Sequence, residues 1–347
     1  MKIERDDDCE PLKTNFTAEV IFSTCLDDEF TCNDGVCVNM TLRCDNIKNC
    51  PNDMSDEAAC NMLVTSSSYR KDYAPTKVDK SGGVVKVNVT VSMDLTNILK
   101  VDETRDIFET KLMLHLTWLD SRLKFNNLKV DSNKNMMAND ERYQIWSPPA
   151  LFENTKKSER IVNDELASAS IERMGDFEVI GSEVLDNTHV FLGEQNPITL
   201  SRIFQYEFIC IYQMAWYPFD TQRCKIVVTL AGNADLMMKL QPGKLNYLGP
   251  KDLTQYFIKD SKIQNGTRSN KPVVFVEVTL GRRLLSTILT VYLPTILLNV
   301  IGFATNFFKV RNILIFKSMF CYRIFSLKLL LRLTLQPCLS SRQCLLA

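Results

Sequence analysis

Apolar and polar residues alternate in four stretches of the chain. These stretches are residues 85–91, 112–118, 204–210 and 274–280. Successive side chains of a β-strand point to opposite faces, so the alternation predicts strands with one buried and one polar face. No stretch between residues 83 and 281 shows a convincing helical period, although residues 158–173 are ambiguous. The pattern predicts a mainly β fold, an immunoglobulin-like β-sandwich of half-buried strands.

One apolar run is long enough to cross a membrane. Leu284 to Phe308 is 25 residues without a charged side chain. An α-helix rises about 1.5 Å per residue, so the run exceeds the ~30 Å hydrocarbon core of a bilayer. It predicts one transmembrane α-helix, and the alternative is a buried helix of a soluble protein.

The stretch that follows, residues 309–347, is basic and contains no acidic residue. Lys317, Arg323, Lys328 and Arg332 interrupt its apolar sequence every four to six residues. A charge at mid-bilayer costs about 2.5–3.5 kcal/mol, so this tail is a poor spanning segment. Either it lies on the cytoplasmic leaflet as a basic amphipathic stretch, or it results from a splicing or frameshift artefact.

Cysteines and glycosylation sequons place the N-terminal side of the apolar run outside the cell. Six of the 12 cysteines fall between Cys25 and Cys60, a density typical of disulfide-stabilised modules in an oxidising compartment. The sequons are at Asn15, Asn39, Asn88 and Asn265, all before the apolar run. The 41 basic and 41 acidic residues balance, which argues against a nucleic-acid binder driven by bulk charge.

The composition changes along the chain also predict its domain organisation. Residues 1–8 lack the apolar segment of a signal peptide, so either the true N-terminus is missing or export uses another signal, and we expect the former. Residues 61–83 show no sustained period and predict a flexible linker. The predicted order is a lead (1–24), a cysteine-rich module (25–60), a linker (61–83), the sandwich domain (84–281), the transmembrane helix (284–308) and the basic tail (309–347).

The cysteine-rich module has the spacing C-x6-C-x4-C-x6-C-x5-C-x9-C. Thirty-six residues cannot bury enough apolar surface to offset the chain entropy, so disulfides or a metal must stabilise it. Its second half crowds the carboxylates of Asp45, Asp53, Asp56 and Glu57. Clustered carboxylates repel one another unless a hard cation such as calcium binds among them, and the alternative is a solvated acidic loop.

This module resembles the low-density-lipoprotein-receptor class A repeat over its whole length. The resemblance implies the disulfides Cys25–Cys37, Cys32–Cys50 and Cys44–Cys60. It also implies calcium bound by the side chains of Asp45, Asn49, Asp56 and Glu57 and by the backbone carbonyls of Leu42 and Ile47. Asn49 replaces the usual aspartate, which implies weaker calcium binding. Repeats of this family bind extracellular protein ligands through the calcium-ordered face, often through a lysine of the partner.

Cys210 and Cys224 enclose 13 residues that include Tyr217-Pro218-Phe219-Asp220. In an oxidising compartment this spacing predicts a disulfide, which would restrict the unfolded chain by roughly 3 kcal/mol. The aromatic–proline pair Tyr217-Pro218 is a place where a cis peptide bond is common. The signature resembles the Cys-loop of pentameric ligand-gated ion channel subunits.

Collinear motifs extend this resemblance over residues 80–309. They are Val101-Asp102-Glu103, Trp118-Leu-Asp120-Ser-Arg122-Leu123, Trp146-Ser-Pro148 with Asn154, Arg282-Arg283 and Tyr292-Leu-Pro294. We expect Trp118 and Trp146 to be core residues rather than ligand contacts.

The resemblance implies a ring of five subunits in the plasma membrane, with a small-molecule agonist bound between extracellular domains. Aromatic side chains usually line that site, because their ring faces attract cationic ligands. Here the corresponding positions carry Met113 and Glu153, so the sequence does not identify the agonist. Residues 262–271 would match the family's flexible capping loop, with Asn265 at its tip.

The resemblance also implies how agonist binding reaches the membrane. Pro218, Phe219 and Asp220 would lie near the membrane, where Arg282 and Arg283 also lie. We hypothesise that Asp220 pairs with one of the two arginines. The family has a second, pore-lining helix at a place where this chain has its basic tail, so we expect this polypeptide not to conduct by itself.

Two functions of different classes stay open. The first is a subunit of a plasma-membrane ligand-gated ion channel. The second is a membrane-anchored adhesion or ligand-capture protein that acts through its class A repeat. An enzyme is the weakest interpretation, because nucleophile-elbow, zinc-protease and P-loop motifs are absent from the sequence and its only histidines are His115 and His189.

Overall fold

The computed structural model describes residues 23–26, 29–58, 60–80, 82–156, 166–179, 189–268 and 271–304. The greater part of the predicted lead, including Asn15, and the basic tail 309–347 lie outside the described residues. So do residues 158–165 of the ambiguous segment, while residues 168–171 of that segment form a strand and not a helix.

The described chain is dominated by strands. In chain order they are β1 (Glu29–Thr31), β2 (Cys37–Asn39), β3 (Leu63–Thr65), β4 (Lys77–Val78), β5 (Val84–Val85), β6 (Val87–Asp102), β7 (Ile107–Trp118), β8 (Leu123–Asn126), β9 (Ala150–Phe152), β10 (Ser168–Ile171), β11 (Glu178–Val179), β12 (His189–Leu192), β13 (Ile198–Ile209), β14 (Thr221–Leu230), β15 (Met238–Tyr247), β16 (Tyr256–Arg268) and β17 (Lys271–Arg282). The α-helical segments are α1 (Asn139–Gln144), α2 (Leu284–Thr287) and α3 (Leu293–Ala304). The mainly β prediction is confirmed.

The chain divides into two compact units. The first comprises Met1–Tyr69, Asp120–Glu141 and Ser170–Pro197, and the second comprises Arg70–Leu119, Arg142–Ala169 and Ile198–Ala347. The first unit holds the cysteine-rich module and a four-stranded sheet of order β11-β12-β8-β3. The second holds the strands of the two sheets that form the sandwich, except that β10 is divided between the units after Ala169.

The sandwich consists of a five-stranded sheet, β10-β13-β7-β6-β15, and a four-stranded sheet, β16-β17-β14-β9. The predicted alternation is visible in their burial. On β6, Val89, Val91, Met93 and Leu95 are fully buried while the residues between them are partly exposed. On β7, Leu112, Leu114, Leu116 and Trp118 are buried in the same way, and Trp146 packs edge-on against Trp118 with ring centroids 5.8 Å apart.

The structure corrects three details of the sequence interpretation. Val85 belongs to the short β4–β5 hairpin and is exposed, so the long strand begins only at Val87. Leu63–Thr65 of the predicted linker form β3 and pair with β8, because Leu63 and Val64 continue the sheet edge that β8 offers. Residues 262–268 lie on β16 and Lys271 begins β17, so these residues are not a loop. They belong to a hairpin in which Arg268 pairs with Lys271 and Asn265 pairs with Val274, so Asn265 lies below the tip.

Asn154 connects the two sheets of the sandwich. Its side-chain amide nitrogen donates to the carbonyls of Ile209, the last residue of β13 (3.3 Å), and of Lys225 on β14 (2.7 Å). Its side-chain oxygen accepts from the Val227 backbone N–H (2.9 Å). The residue is almost fully buried. Buried polar groups need partners, and this one side chain satisfies backbone groups of both sheets.

The cysteine-rich module has a very small apolar core. Its disulfides are Cys25–Cys37, Cys32–Cys50 and Cys44–Cys60, as the class A resemblance implies. Its buried cluster is Phe30, Cys32, Met40 and Cys50. Two of these four side chains belong to one disulfide, which agrees with the expectation that so short a segment depends on covalent links.

The predicted transmembrane run forms a continuous helix from Leu284 to Ala304, and residues 305–308 lie outside the described part. It is α-helical except for a π-helical turn at Ile288–Tyr292, directly before Pro294. The Thr295 hydroxyl donates to the Val291 carbonyl (2.7 Å) and so supplies a partner near the interruption. Within the described residues this is the one helix long and apolar enough to cross a membrane.

We predict that Asn154→Ala destabilises the sandwich by roughly 2–4 kcal/mol, because it leaves buried backbone groups of both sheets without partners. The matched control is Asn246→Ala, whose amide makes an exposed hydrogen bond to Asp94. Thermal unfolding of the detergent-solubilised chain, followed by tryptophan fluorescence, measures both. Equal unfolding temperatures for the two variants would contradict the role of Asn154.

Candidate functional site

The disulfide loop joins β13 of one sheet to β14 of the other. Cys210 and Cys224 are linked with a Cα–Cα distance of 5.1 Å. Within the loop, the Tyr217–Pro218 peptide bond is cis. Gln222 holds the loop closed, because its side chain accepts from the Gln213 N–H (2.8 Å) and donates to the Gln213 carbonyl (2.9 Å). The loop therefore has a defined shape, set by a covalent link and side-chain hydrogen bonds.

The tip of this loop presents aromatic side chains to the outside. Trp216 is 79% exposed and Phe219 is 75% exposed. Contiguous exposed apolar patches are typical of interaction surfaces, and these two aromatic residues lie three positions apart on the same loop.

Arg282, the last residue of β17, lies at the centre of a buried polar cluster. Its Nε donates to Asp220 Oδ1 (2.6 Å) and its Nη2 to Asp220 Oδ2 (2.9 Å), which is the bidentate geometry of strong arginine–carboxylate pairs. Its Nη1 lies 2.8 Å from Glu103 Oε1, and its Nη2 donates to the Tyr256 hydroxyl (2.6 Å). The side chains of Arg282 and Asp220 are only 4% and 1% exposed.

Strand register brings these residues together. On β14, Thr221 pairs with Gly281 of β17, so Asp220 falls beside Arg282. On β16, Tyr256 pairs directly with Arg282. Glu103 follows the end of β6, and the Tyr256 hydroxyl donates to it. The cluster thus joins the disulfide loop, the end of β6 and the β16–β17 hairpin at the residue that precedes the apolar helix.

The charges of this cluster are fixed by their surroundings. Burial opposes ionisation of Asp220, but hydrogen bonds from Arg282 and Gln222 outweigh it and lower the pKa of Asp220. Burial raises the pKa of Tyr256, and the Glu103 carboxylate adds to the effect, so the hydroxyl keeps its proton. A lowered carboxyl pKa stabilises the fold above the ordinary range near pH 4, and this stabilisation is lost as the pH falls below it.

Arg283 has a different environment. Its side chain is 44% exposed, lies 3.6 Å from Asp252 and donates to the Leu253 carbonyl (3.2 Å). Of the two arginines considered from the sequence, the structure brings Arg282 to Asp220. Sequence reasoning missed Glu103 and Tyr256 as members of the cluster. The acidic motif Val101-Asp102-Glu103 was a signal for the first, whereas only strand register reveals the second.

The two candidate agonist contacts lie in different sheets. Met113 is on β7 of the five-stranded sheet, and Glu153 directly follows β9 of the four-stranded sheet. The Glu153 carboxylate pairs with Arg268 near the tip of the β16–β17 hairpin (3.1 Å). Next to it, Phe152 packs against Phe204 and Phe208 with centroids 5.1 and 5.4 Å apart. This aromatic cluster was not identified from the sequence as a group, although Phe204 and Phe208 lie on the same face of β13.

The residues implied as calcium ligands converge in the cysteine-rich module. The Asn49 side-chain nitrogen donates to the Ile47 carbonyl (2.8 Å) and to Asp45 Oδ1 (3.2 Å), and it lies 3.4 Å from the Leu42 carbonyl. Asp56 is fully buried and accepts from the Asn49 backbone N–H through Oδ2 (2.6 Å). Its other oxygen, Oδ1, has no hydrogen-bond partner among the described residues.

A second group of residues in this module has side chains that commonly bind metals, but it is not a metal site. Cys25, Glu29 and Cys37 have ligand atoms within 4.8 Å of one another. However, the two sulfurs are joined in a disulfide, and a metal needs a free thiolate.

Three of the four sequon asparagines lie in the described part of the chain. Asn39, Asn88 and Asn265 are all exposed. Asn39 caps the turn Met40–Leu42, because its side-chain oxygen accepts from the Thr41 N–H.

Comparisons with known proteins agree with both modules. Residues 56–279 match the neurotransmitter-gated ion-channel ligand binding domain, and residues 23–60 match the low-density lipoprotein receptor domain class A. Betaine receptor acr-23 of Caenorhabditis elegans is 22% identical over 254 residues, which cover 69% of this chain and 42% of that protein. Ligand-gated ion channel 50 of the same nematode is 25% identical over 142 residues, 41% of this chain and 25% of that protein.

The acetylcholine receptor subunit delta of Xenopus laevis is 25% identical over 178 residues, which cover 51% of this chain and 29% of that protein. The chain therefore spans between a quarter and about two fifths of the length of these relatives. They are ligand-gated ion channel receptors and not enzymes. Because the family match covers more than half of the sequence, the chain belongs to the neurotransmitter-gated ion-channel family, with a class A module added before its ligand-binding domain.

Proposed function

We propose that this chain is a subunit of a pentameric plasma-membrane ion channel that opens when a small molecule binds between extracellular domains. The buried Arg282 cluster carries the proposal. It fixes the disulfide loop to the last residue of β17, and the apolar helix begins two residues later at Leu284. A movement of the sandwich would therefore act directly on the start of the membrane helix.

Further observations support an agonist site shared between subunits. Met113 and Glu153 lie in different sheets of one sandwich, and in the proposed ring they would contribute to agonist sites at the boundaries between subunits. The Glu153–Arg268 pair places a charged contact at the tip of the hairpin that would cap such a site. The names of two relatives, a betaine receptor and an acetylcholine receptor subunit, agree with a small-molecule agonist.

We infer that the class A module binds calcium. Its carboxylates of Asp45, Asp56 and Glu57 and its carbonyls of Leu42 and Ile47 would hold the ion, with Asn49 contributing an uncharged oxygen. The buried, unpartnered oxygen of Asp56 and the convergence of three oxygens on Asn49 fit a cation of this kind. Bound calcium would neutralise the clustered carboxylates and order the second half of the module.

Two further proposals concern glycosylation and ion conduction. Asn39, Asn88 and Asn265 are exposed and are proposed glycosylation sites, as is Asn15 outside the described residues. The expectation that this polypeptide does not conduct by itself rests on residues 309–347. It stays a prediction, because that segment also lies outside the described residues.

Oligomeric state is the direct test of channel assembly. We expect the full chain, solubilised in detergent, to elute with the protein mass of five copies when size-exclusion chromatography is coupled to light scattering. Chemical cross-linking in intact membranes should give the same ladder of up to five bands. A strict monomer at high concentration in both measurements would favour the adhesion or ligand-capture alternative.

The Arg282 cluster predicts strong coupling between Asp220 and Arg282. Removing either partner leaves the other buried and unpaired, which costs roughly 3–5 kcal/mol. The double variant should therefore lose less free energy of unfolding than the summed losses of Asp220→Ala and Arg282→Ala. We expect a coupling energy of about 1–3 kcal/mol in thermal unfolding.

The exposed pair Arg283 and Asp252 provides the matched control for this cycle. Its 3.6 Å contact lies at the surface, where ion pairs contribute about 1 kcal/mol or less. If Asp220→Ala and Arg282→Ala proved additive within about 0.5 kcal/mol, the two residues would not act as a unit.

The calcium proposal predicts that Asn49→Asp strengthens binding. The substitution restores one negative charge among the ligands, so we expect the calcium dissociation constant of the full chain to fall by about tenfold or more. Isothermal titration calorimetry measures the constant. Asn52→Asp is the matched control, because it adds the same charge to the module at an exposed residue that donates to Asp34. Equal effects of the two variants would contradict the site.

A further inference from the structure

Lys129 inserts its ammonium group into the class A module. Lys129 belongs to the segment after β8, and its Nζ donates to the backbone carbonyls of Met40 (3.1 Å), Thr41 (3.2 Å) and Arg43 (2.5 Å). An ammonium group has three N–H donors, so three carbonyls saturate it. All three acceptors belong to the single turn that follows β2, and the contact lies within one compact unit of the chain.

This turn presents its carbonyls because it is short. Met40–Leu42 is one turn of 3-10 helix, and the last carbonyls of such a turn have few partners within it. A cation beside the C-terminal end of a helical turn also interacts favourably with the aligned peptide dipoles. The Lys129 ammonium supplies both the hydrogen-bond donors and the charge.

Acidic side chains of the module contribute to the same environment. Burial lowers the pKa of Lys129, and the nearby carboxylates of Asp45 and Glu57 oppose this shift. Asp45 and Lys129 also line the same groove, which has a volume of about 780 Å³. The three hydrogen bonds of the Lys129 ammonium group are the polar contacts that join it to the module.

The backbone of Lys129 is held in place on its own side. Its N–H donates to the Asn135 side-chain oxygen (2.7 Å), and its carbonyl accepts from the Asn135 side-chain nitrogen (2.8 Å). Asn135 is fully buried and also donates to the Ile171 carbonyl (3.1 Å). Because these bonds already fix the backbone of Lys129, the contact with the module costs only the entropy of ordering its side chain.

We propose that the turn Met40–Arg43 is a receptor for a primary ammonium group, that Lys129 of the same chain fills it, and that this contact locks the class A module to the segment after β8. The module then serves as a fixed part of the extracellular region. An external protein that offers a lysine to this face has to displace Lys129 first. The inference does not depend on channel activity or on agonist identity.

Chemical rescue tests the receptor directly. Lys129→Ala removes three carbons and the ammonium group, and propylammonium has the same atoms. In the full detergent-solubilised chain, we expect Lys129→Ala to accelerate hydrogen–deuterium exchange of the Thr41, Arg43 and Cys44 amides by about tenfold or more, because hydrogen bonds to a charged group contribute about 1.5–3 kcal/mol. Propylammonium at millimolar concentration should restore the slow exchange.

Two controls separate the receptor from general effects. Lys134→Ala removes the charge of another lysine that lines the same groove. Amide exchange rates of this variant should equal those of the unmodified chain. Tetramethylammonium has the charge of propylammonium but no N–H donor, and should not restore slow exchange. Disulfide mapping under non-reducing conditions shows that each variant retains Cys25–Cys37, Cys32–Cys50 and Cys44–Cys60.

Several results would overturn the proposal. Unchanged exchange in Lys129→Ala, or equal acceleration in Lys134→Ala, would show that Lys129 does not hold the turn. Failure of propylammonium to rescue, or equal rescue by tetramethylammonium, would show that the turn is not a receptor for a hydrogen-bonding ammonium group. If Lys129→Ala lost the three disulfides, Lys129→Met would replace it as the test variant. Lys129→Met keeps an aliphatic side chain and should give the same accelerated exchange.

Discussion

The buried guanidinium of Arg282 is the interaction on which the rest of the ligand-binding domain depends. A buried positive charge is costly unless its donors are satisfied, and here Asp220, Glu103 and Tyr256 satisfy them from three separate segments. Those segments can meet only if β14, β16 and β17 keep their register. The polar cluster therefore specifies one alignment of the sheet, and the sheet in turn holds the disulfide loop where it is.

The sequence predicted the parts of this structure that local pattern controls. Alternation on β6 and β7 identified the buried face residue by residue, because side-chain direction in a strand depends only on position. The loop from Cys210 to Cys224 and the apolar run from Leu284 were equally visible, since cysteine spacing and length leave few alternatives. The pairing of Asp220 with an arginine was predicted from their opposite charges and from the order of the motifs along the chain.

What the sequence did not predict depends on long-range pairing. Tyr256 joins the Arg282 cluster only through the register of β16 against β17, and no local signal marks it. Leu63–Thr65 looked like linker because three residues show no period, yet the free edge of β8 recruits them. The Lys129 contact spans more than 80 residues and joins a side chain to backbone carbonyls, which no residue pattern records.

The β16–β17 hairpin connects the two ends of the domain through one stiff element. Its pairing runs from Tyr256 and Arg282 at the base to Arg268 and Lys271 near the tip, about 40 Å at 3.3 Å per residue. Arg268 pairs with Glu153 at the far end, and Arg282 holds Asp220 at the base. A change in the Glu153–Arg268 contact would therefore act on a paired ribbon whose last residue, Arg282, is held by Asp220 two residues before the membrane helix. A paired ribbon of backbone hydrogen bonds is stiffer than a loop of the same length, although the register of this one shifts between Ile258 and Asp260.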